Sequence, residues 1–402
     1  MIDLVNIGIN MNLKTFRYIK GMPEFIKNKL TGVYRSVHPY GIKYTWYRFI
    51  NHRWNKMDNL DELYTMINEI CKKEIIKIGN EMCERNDLQT YLMRIDILNK
   101  IMKNPKRNPY GIQHDVITGL TELLYDPQFL YKLDTNTKLI CFTNGVYDLS
   151  SNTFRDGRPD DYISCGVNYD YNPNIGKNSE LNMFFKQIQP NKEVRKYLKK
   201  VLSKTLVGSA EGDLFILVNT IETGEAVQSS LIKLLHETLD DLSGFMESKH
   251  LPNVLPLQSD QFRNMVNIMD KLRACFIVSN CSKSQINFGF LNIIPDMMRS
   301  LYLLPPVPNG ATKFYSVLFM EMNCLDKIIC IEDENGTWQR IKVIPFMAEN
   351  VSENVSKNFQ NWRQYMMNKM IKYYNLGDLP CPHSVIDLTQ KYRIVCKNSI
   401  SE

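Results

Sequence analysis

Residues 214–239 read LFILVNTIETGEAVQSSLIKLLHETL, in the order strand, loop, helix. This is where a phosphate-binding loop belongs. Such a loop surrounds phosphates with backbone N–H groups, adds a Lys, and ends on a Ser or Thr that serves magnesium. Of those groups only Gly224 and Ser229 are present; Gln228 stands at the Lys position and Val227 before it. A β-branched residue in left-handed backbone costs on the order of 1–2 kcal/mol, so Val227 implies a loop of altered shape. Losing a fixed charge from an active site costs roughly 3–4 kcal/mol in the transition state. Glu222 and Glu225 lie in the same loop and repel phosphate. Ser229 has a second use, as a helix N-terminal cap, which needs no nucleotide. Lys233 follows one turn later and points away unless the loop is rearranged. No cofactor is expected; ATP and magnesium enter only if the altered loop still binds them.

The elements needed behind such a loop are legible. Residues 214–218, 274–278, 316–320 and 341–344 are short apolar runs suited to buried strands of a mostly parallel sheet. Residues 231–239 and 262–270 supply helices between them, which makes an α/β layered core with helices on both faces. Upstream, residues 44–54 (YTWYRFINHRW) suggest a hairpin whose aromatics build a small core, or interleave with Arg to stack on nucleic acid. Residues 60–133 are helical, with Leu63, Ile67, Ile70 and Cys71 at spacings of three and four. Residues 104–110 (NPKRNPY) are a loop. Residues 139–149 form a hairpin turning at Asn144-Gly145. Residues 174–191 are polar with one apolar patch, and a domain boundary is placed there.

Residues 192–206 predict an amphipathic helix with Val194, Tyr197, Leu198, Val201 and Leu202 on one face. Lys196, Lys199 and Lys200 lie on the rest, as a solvated face or a DNA- or subunit-facing collar. From residue 351 onward the chain is mostly helical. The division is an N-terminal arm (1–35), a mainly helical domain with a small β element (36–190), the basic helix (191–206), the α/β core (207–347) and a helical C-terminal region (348–402).

Composition bounds the partners. The 402 residues carry 49 basic and 43 acidic side chains, a net charge of +6 that permits nucleic-acid contact without arguing for it. The ten cysteines form no CxxC pair, which suits free thiols in a reducing intracellular compartment. No apolar run approaches the roughly 20 residues of a membrane span, and no leader pattern opens the chain.

The segments FTNGVYDL and FRDGRPDDYIS, within residues 142–164, resemble the domain upstream of the helicase in poxvirus-type primase-helicases of large DNA viruses. WYRFINHRW, GTWQRIKVIPF (336–346) and NWRQYMM…LPCPHSVIDLTQKYR (361–393) fit the same family, so the resemblance covers residues 40–395. It implies a superfamily 3 helicase of AAA+ type: a P-loop core, a ring that hydrolyses ATP at subunit boundaries, and DNA as partner. Position by position, the P-loop Ser matches Ser229, the polar sensor matches Asn323, the arginine finger matches Arg340, and a basic position matches Arg299. The family's acidic strand end falls near Asn280, where ACFIVSNCSKS offers no carboxylate. A strand cap suits Asn323 equally well, and packing beside Trp338 is the alternative use of Arg340. Fewer residues precede the match than a primase domain needs.

These features predict a viral DNA-replication helicase-like protein, ATPase-deficient, acting as a DNA-binding or assembly subunit at viral replication sites in the host cytoplasm. DNA binding is expected to be weak and salt-sensitive. The expected assembly is a homo- or hetero-oligomer, including a mixed ring with an active homologous helicase. Two other readings stay open: an active helicase with an unorthodox nucleotide loop, and a non-enzymatic DNA-binding structural protein.

Overall fold

The computed structural model describes residues 17–30, 32–38, 44–82, 88–103, 112–209, 213–219, 227–247, 272–278, 316–322, 337–346 and 353–398. The chain divides into two compact units. Unit 1 comprises Met1–Ile50 and Trp54–Lys132, and unit 2 comprises Asn51–Arg53 and Leu133–Glu402. The division thus falls ahead of the polar stretch at 174–191.

Unit 1 holds α1 (residues 17–30), the β1-β2-β3 sheet (Tyr34–Val37, Thr45–Ile50, Arg53–Lys56), α2 (Asp61–Met82), α3 (Leu88–Ile101), α4 (Ile112–Leu123) and the short α5 (Phe129–Lys132). Residues 17–30 differ from the expected arm. They form a helix whose Met22, Ile26 and Leu30 are buried with Leu63, Ile67 and Cys71 of α2. Gly21 and Pro23 disguise it, because both normally break helices. Pro23 is instead a packing site: a Cβ on Gly119 of α4 would lie 2.7 Å from its Cγ, so only glycine allows that approach. The β2–β3 connection is made by Asn51 and His52, both at positive φ, as a tight hairpin requires. The aromatics of YTWYRFINHRW build a core: Trp46 and Trp54 are buried, and Phe129 lies 5.0 Å from Tyr47 and 5.1 Å from Trp54.

Unit 2 begins with the antiparallel sheet β4-β5-β6 (Leu139–Phe142, Gly145–Asp148, Thr153–Arg155). Phe142 pairs with Gly145, so the turn is two residues long, as Asn144-Gly145 predicts. Next come α6 (Ser179–Ile188) and α7 (Lys192–Lys204). The apolar patch inside 174–191 is thus a helix, with Leu181, Phe184, Phe185 and Ile188 buried at helical spacing. It joins a single core that runs from Phe142 through α6 and α7 to Phe215, Phe276 and Phe319. That continuity is why no boundary falls there.

The large sheet has five strands: β7 (Leu214–Asn219), β8 (Ser243–Glu247), β9 (Ala274–Val278), β10 (Val317–Met322) and β11 (Ile341–Phe346). Their order is β11-β7-β10-β9-β8, and every pairing is parallel. β8, with the sequence SGFME, escapes a search for apolar runs because it is an edge strand with only part of its surface covered. Helix α8 (Val227–Leu239) follows β7, and the short α9 (Thr337–Arg340) leads into β11. Helices α10 (Phe359–Tyr374) and α11 (His383–Asn398) complete the chain. The helix expected over 262–270 lies outside the described residues.

Edge strand β11 is closed against further pairing. Its Val343 N–H donates to Thr389 Oγ1 of α11 at 3.0 Å, and Pro345, two residues on, has no N–H to offer. The Pro345 carbonyl accepts from Gln189 Nε2 at 2.5 Å. One alternate set of edge groups is therefore met by side chains rather than by another strand.

Candidate functional site

In an open parallel sheet, ligands bind at the carboxyl ends of neighbouring strands whose connections leave in opposite directions. Here those strands are β7 and β10. The chain leaves β7 towards β8 at one edge and leaves β10 towards β11 at the other. Ser229, from α8 after β7, and Glu321, near the end of β10, meet at this point: Ser229 Oγ donates to Glu321 Oε2 at 2.7 Å.

Ser229 is the third residue of α8, with its hydroxyl on a carboxylate, rather than a cap outside the helix. Glu321 Oε1 is buried and has no hydrogen-bond partner among the described residues. Burial pushes the Glu321 carboxyl up; the Ser229 hydrogen bond and the charge of Lys233 oppose that. Lys233, expected to point away, therefore acts electrostatically on this group. An unsatisfied buried polar atom costs about 1–3 kcal/mol.

With its pKa raised in the folded state, Glu321 makes the folded protein hold a proton that the unfolded chain releases. Stability must then fall as pH rises above the ordinary carboxylate range. Glu321→Gln, which cannot ionise, should flatten that fall and raise the unfolding midpoint at neutral pH. Thermal unfolding of both proteins at about pH 5 and about pH 8 reads this directly. Parallel pH profiles would remove Glu321 as the cause.

The other expected site residues separate. Gln228 is the second residue of α8. Gly224, Asn323 and Arg299 lie outside the described residues, as does Asn280. Arg340 ends α9, beside the buried Trp338. Ile341, the next residue, pairs with Leu214, the first of β7, whereas Glu321 pairs with Leu217. Arg340 is thus at the amino end of the sheet, and Ser229 with Glu321 is at the carboxyl end.

The three lysines of α7 do not form one exposed surface. Lys196 is exposed. Lys199 Nζ sits 4.8 Å from the Phe185 ring centre. Lys200 is buried and donates to the carbonyls of Tyr373 at 3.2 Å and Tyr374 at 3.1 Å, at the end of α10. A lysine there satisfies carbonyls the helix leaves open and complements its dipole. Lys200 is committed to structure, which no helical-wheel reading of α7 alone could show.

FRDGRPDDYIS is a self-locking turn. Arg155 makes paired bonds to Asp161 at 2.8 and 2.7 Å, and the Arg158 N–H reaches the same carboxylate at 2.7 Å. Burial alone would raise the Asp161 carboxyl; the Arg155 bonds and the Arg158 N–H hold it below its usual range. A Cβ on Gly157 would lie 2.5 Å from His52 Cβ and 2.7 Å from its carbonyl oxygen, which explains the glycine. This motif is architecture rather than chemistry.

A parallel five-stranded α/β sheet, joined through one core to this turn, is consistent with a helicase-like core. Residues 34–203 match the family described as D5 N terminal like. A protein of Acanthamoeba polyphaga mimivirus with a provisional helicase designation is 30% identical over 395 residues, covering 87% of this chain and 39% of its own length. Primase D5 of Fowlpox virus (strain NVSL) is 26% identical over 212 residues, 45% of this chain and 26% of the relative. The apo C-terminal region of NrS-1 aligns with a TM-score of 0.45 at 9% identity, covering 92% of this chain and 73% of that one. These matches support a relationship to the poxvirus-type primase-helicases of large DNA viruses. The chain spans 39% and 26% of the lengths of these two curated relatives. Among the described residues, no helix is long and apolar enough to cross a membrane.

Proposed function

We propose that this chain is a superfamily 3, AAA+-like subunit of viral DNA replication that binds nucleic acid and assembles with other subunits but does not turn over ATP. The observation that carries this reading is the Ser229–Glu321 pair. The hydroxyl that would serve magnesium donates to a buried carboxyl at the place where phosphate would approach. A phosphate arriving there either meets like charge or must wait for Glu321 to take up a proton. Gln228 brings no compensating cation. These groups do not fit a nucleotide phosphate.

In this reading the subunit contributes surfaces: a basic face for nucleic acid and an edge for a neighbour in a homo- or hetero-oligomer. Its place is at viral replication sites in the host cytoplasm.

A second reading is favoured by the same residue. Glu321 supplies an acidic group on the strand beside β7, and Ser229 with Glu321 could then hold a divalent cation for an unorthodox nucleotide site. Steady-state phosphate release with single-stranded DNA decides between them. We expect the wild type to match Ser229→Ala and Glu321→Gln at background. Turnover well above background in the wild type, abolished by either substitution, would overturn the first reading in favour of the second.

A further inference from the structure

Three helices of unit 2 gather five cations. α6 brings Lys186, α7 brings Arg195 and Lys199, and α10 brings Lys369 and Lys372. α10 contains no acidic residue. Lys199 Nζ lies over two rings, 4.8 Å from the centre of Phe185 and 5.8 Å from that of Tyr373. Lys369 Nζ donates to Asn182 Oδ1 at 2.7 Å. Arg195 Nη1 donates to the carbonyls of Gln189 at 2.7 Å and Pro190 at 2.8 Å. All these acceptors are neutral. Among the described residues none of the five cations is in an ion pair.

Like charges held together without counter-charge raise the free energy of the folded chain, and an anion relieves it. The cost is visible in the lysines. Burial first, then the charges of Lys369, Arg195 and Lys186, push Lys199 down to about 8. Burial and the charge of Lys372 push Lys369 down. A bound phosphate would reverse both.

We propose that the α6–α7–α10 face binds the phosphate backbone of single-stranded nucleic acid, through Lys186, Lys199, Lys369 and Lys372, beside the Tyr373 ring. It rests on the nucleic-acid part of the proposed function and assigns the surface. Cations interleaved with rings are what a single strand needs, because phosphates take the charge and unpaired bases take the ring faces. Lys200 takes no part.

The test is fluorescence anisotropy of the full chain with a labelled oligothymidine of about 20 nucleotides. Binding should weaken with salt by about 0.7 log units per decade for each contacted phosphate. Lys186 and Lys372 are exposed, so the double variant Lys186→Glu/Lys372→Glu should fold normally. It should bind roughly tenfold more weakly, with a salt slope shallower by about 1.4. Lys138→Glu, also exposed, is the control for net charge and should change neither.

The pH profile isolates Lys199. The free site binds fully while Lys199 is protonated and loses affinity as pH rises past about 8. Lys199→Met should shrink that loss to what Lys369 contributes. If the wild type binds but the double variant keeps its affinity and slope, the surface is elsewhere and only this inference fails. If the wild type binds no oligonucleotide, the nucleic-acid reading itself fails. Tighter binding to a duplex of equal length would overturn the single-strand assignment.

Discussion

Replacing Arg340 with Ala should depress ATP turnover at boundaries between this chain and an active homologous helicase by about 10³-fold or more. An arginine finger is worth that much where it completes a neighbour's site. The register places Arg340 before Ile341, level with the start of β7, three strand positions and a turn away from the Glu321 level. At about 3.3 Å per residue, that is about 10 Å or more from its own crevice. Arg340 therefore lies outside its own crevice, so a finger role would have to serve another subunit. The competing explanation is that Arg340 only packs beside Trp338, which is 7% exposed. Mixing the purified chain with an active homologue and measuring phosphate release per active subunit separates the two. Depressed turnover with co-elution intact supports the finger. Unchanged turnover in a co-eluting mixture, or no co-elution at all, ends the idea.

Arg273→Met should destabilise unit 2 by about 3 kcal/mol, the cost of stranding two buried acceptors. Arg273 lies just before β9 and is 8% exposed. Its guanidinium donates to the Leu206 carbonyl after α7 and, at 2.6 Å, to the Leu139 carbonyl that opens β4. One side chain thus ties the large sheet, α7 and the small sheet together. Burial pushes the guanidinium down to about 10, opposed by the charges of Asp134 and Cys165, so it stays protonated at neutral pH. Met keeps the apolar stem and removes all donors. For a unit of this size the loss corresponds to a fall of roughly 6–12 °C in the unfolding midpoint. Calorimetry that finds less than about 1 kcal/mol would mean that other donors take over the carbonyls.

Local pattern sufficed to mark single elements. The Asn144-Gly145 hairpin, the amphipathic α7 and the apolar strands β7, β9, β10 and β11 could each be read within their own segment, because turn geometry and side-chain period act over a few residues. The four strands were legible by position, but β8 was not: Ser243, Gly244 and Glu247 break its apolar run, with Ser243 buried and Phe245 exposed. Helix α1 was hidden for a different reason: Gly21 and Pro23 read as helix breakers, and the close approach of Pro23 to Gly119 cannot be seen in either segment alone.

The candidate site divides along the same line. That Gln228 and Val227 stand where a P-loop has Lys and Gly could be read directly from residue types. What Ser229 meets there could not. Ser229 and Glu321 are 92 residues apart, and only the pairing of β10 with β7 brings them together. Lys200 meets its carbonyl partners 173 and 174 residues later, which turned an expected surface cation into a buried helix cap. Residue types by themselves determined which P-loop positions differ. The parallel sheet and the packing of α6, α7 and α10 decided which charges stand together, because burial and distance, rather than sequence spacing, set how charges act on one another.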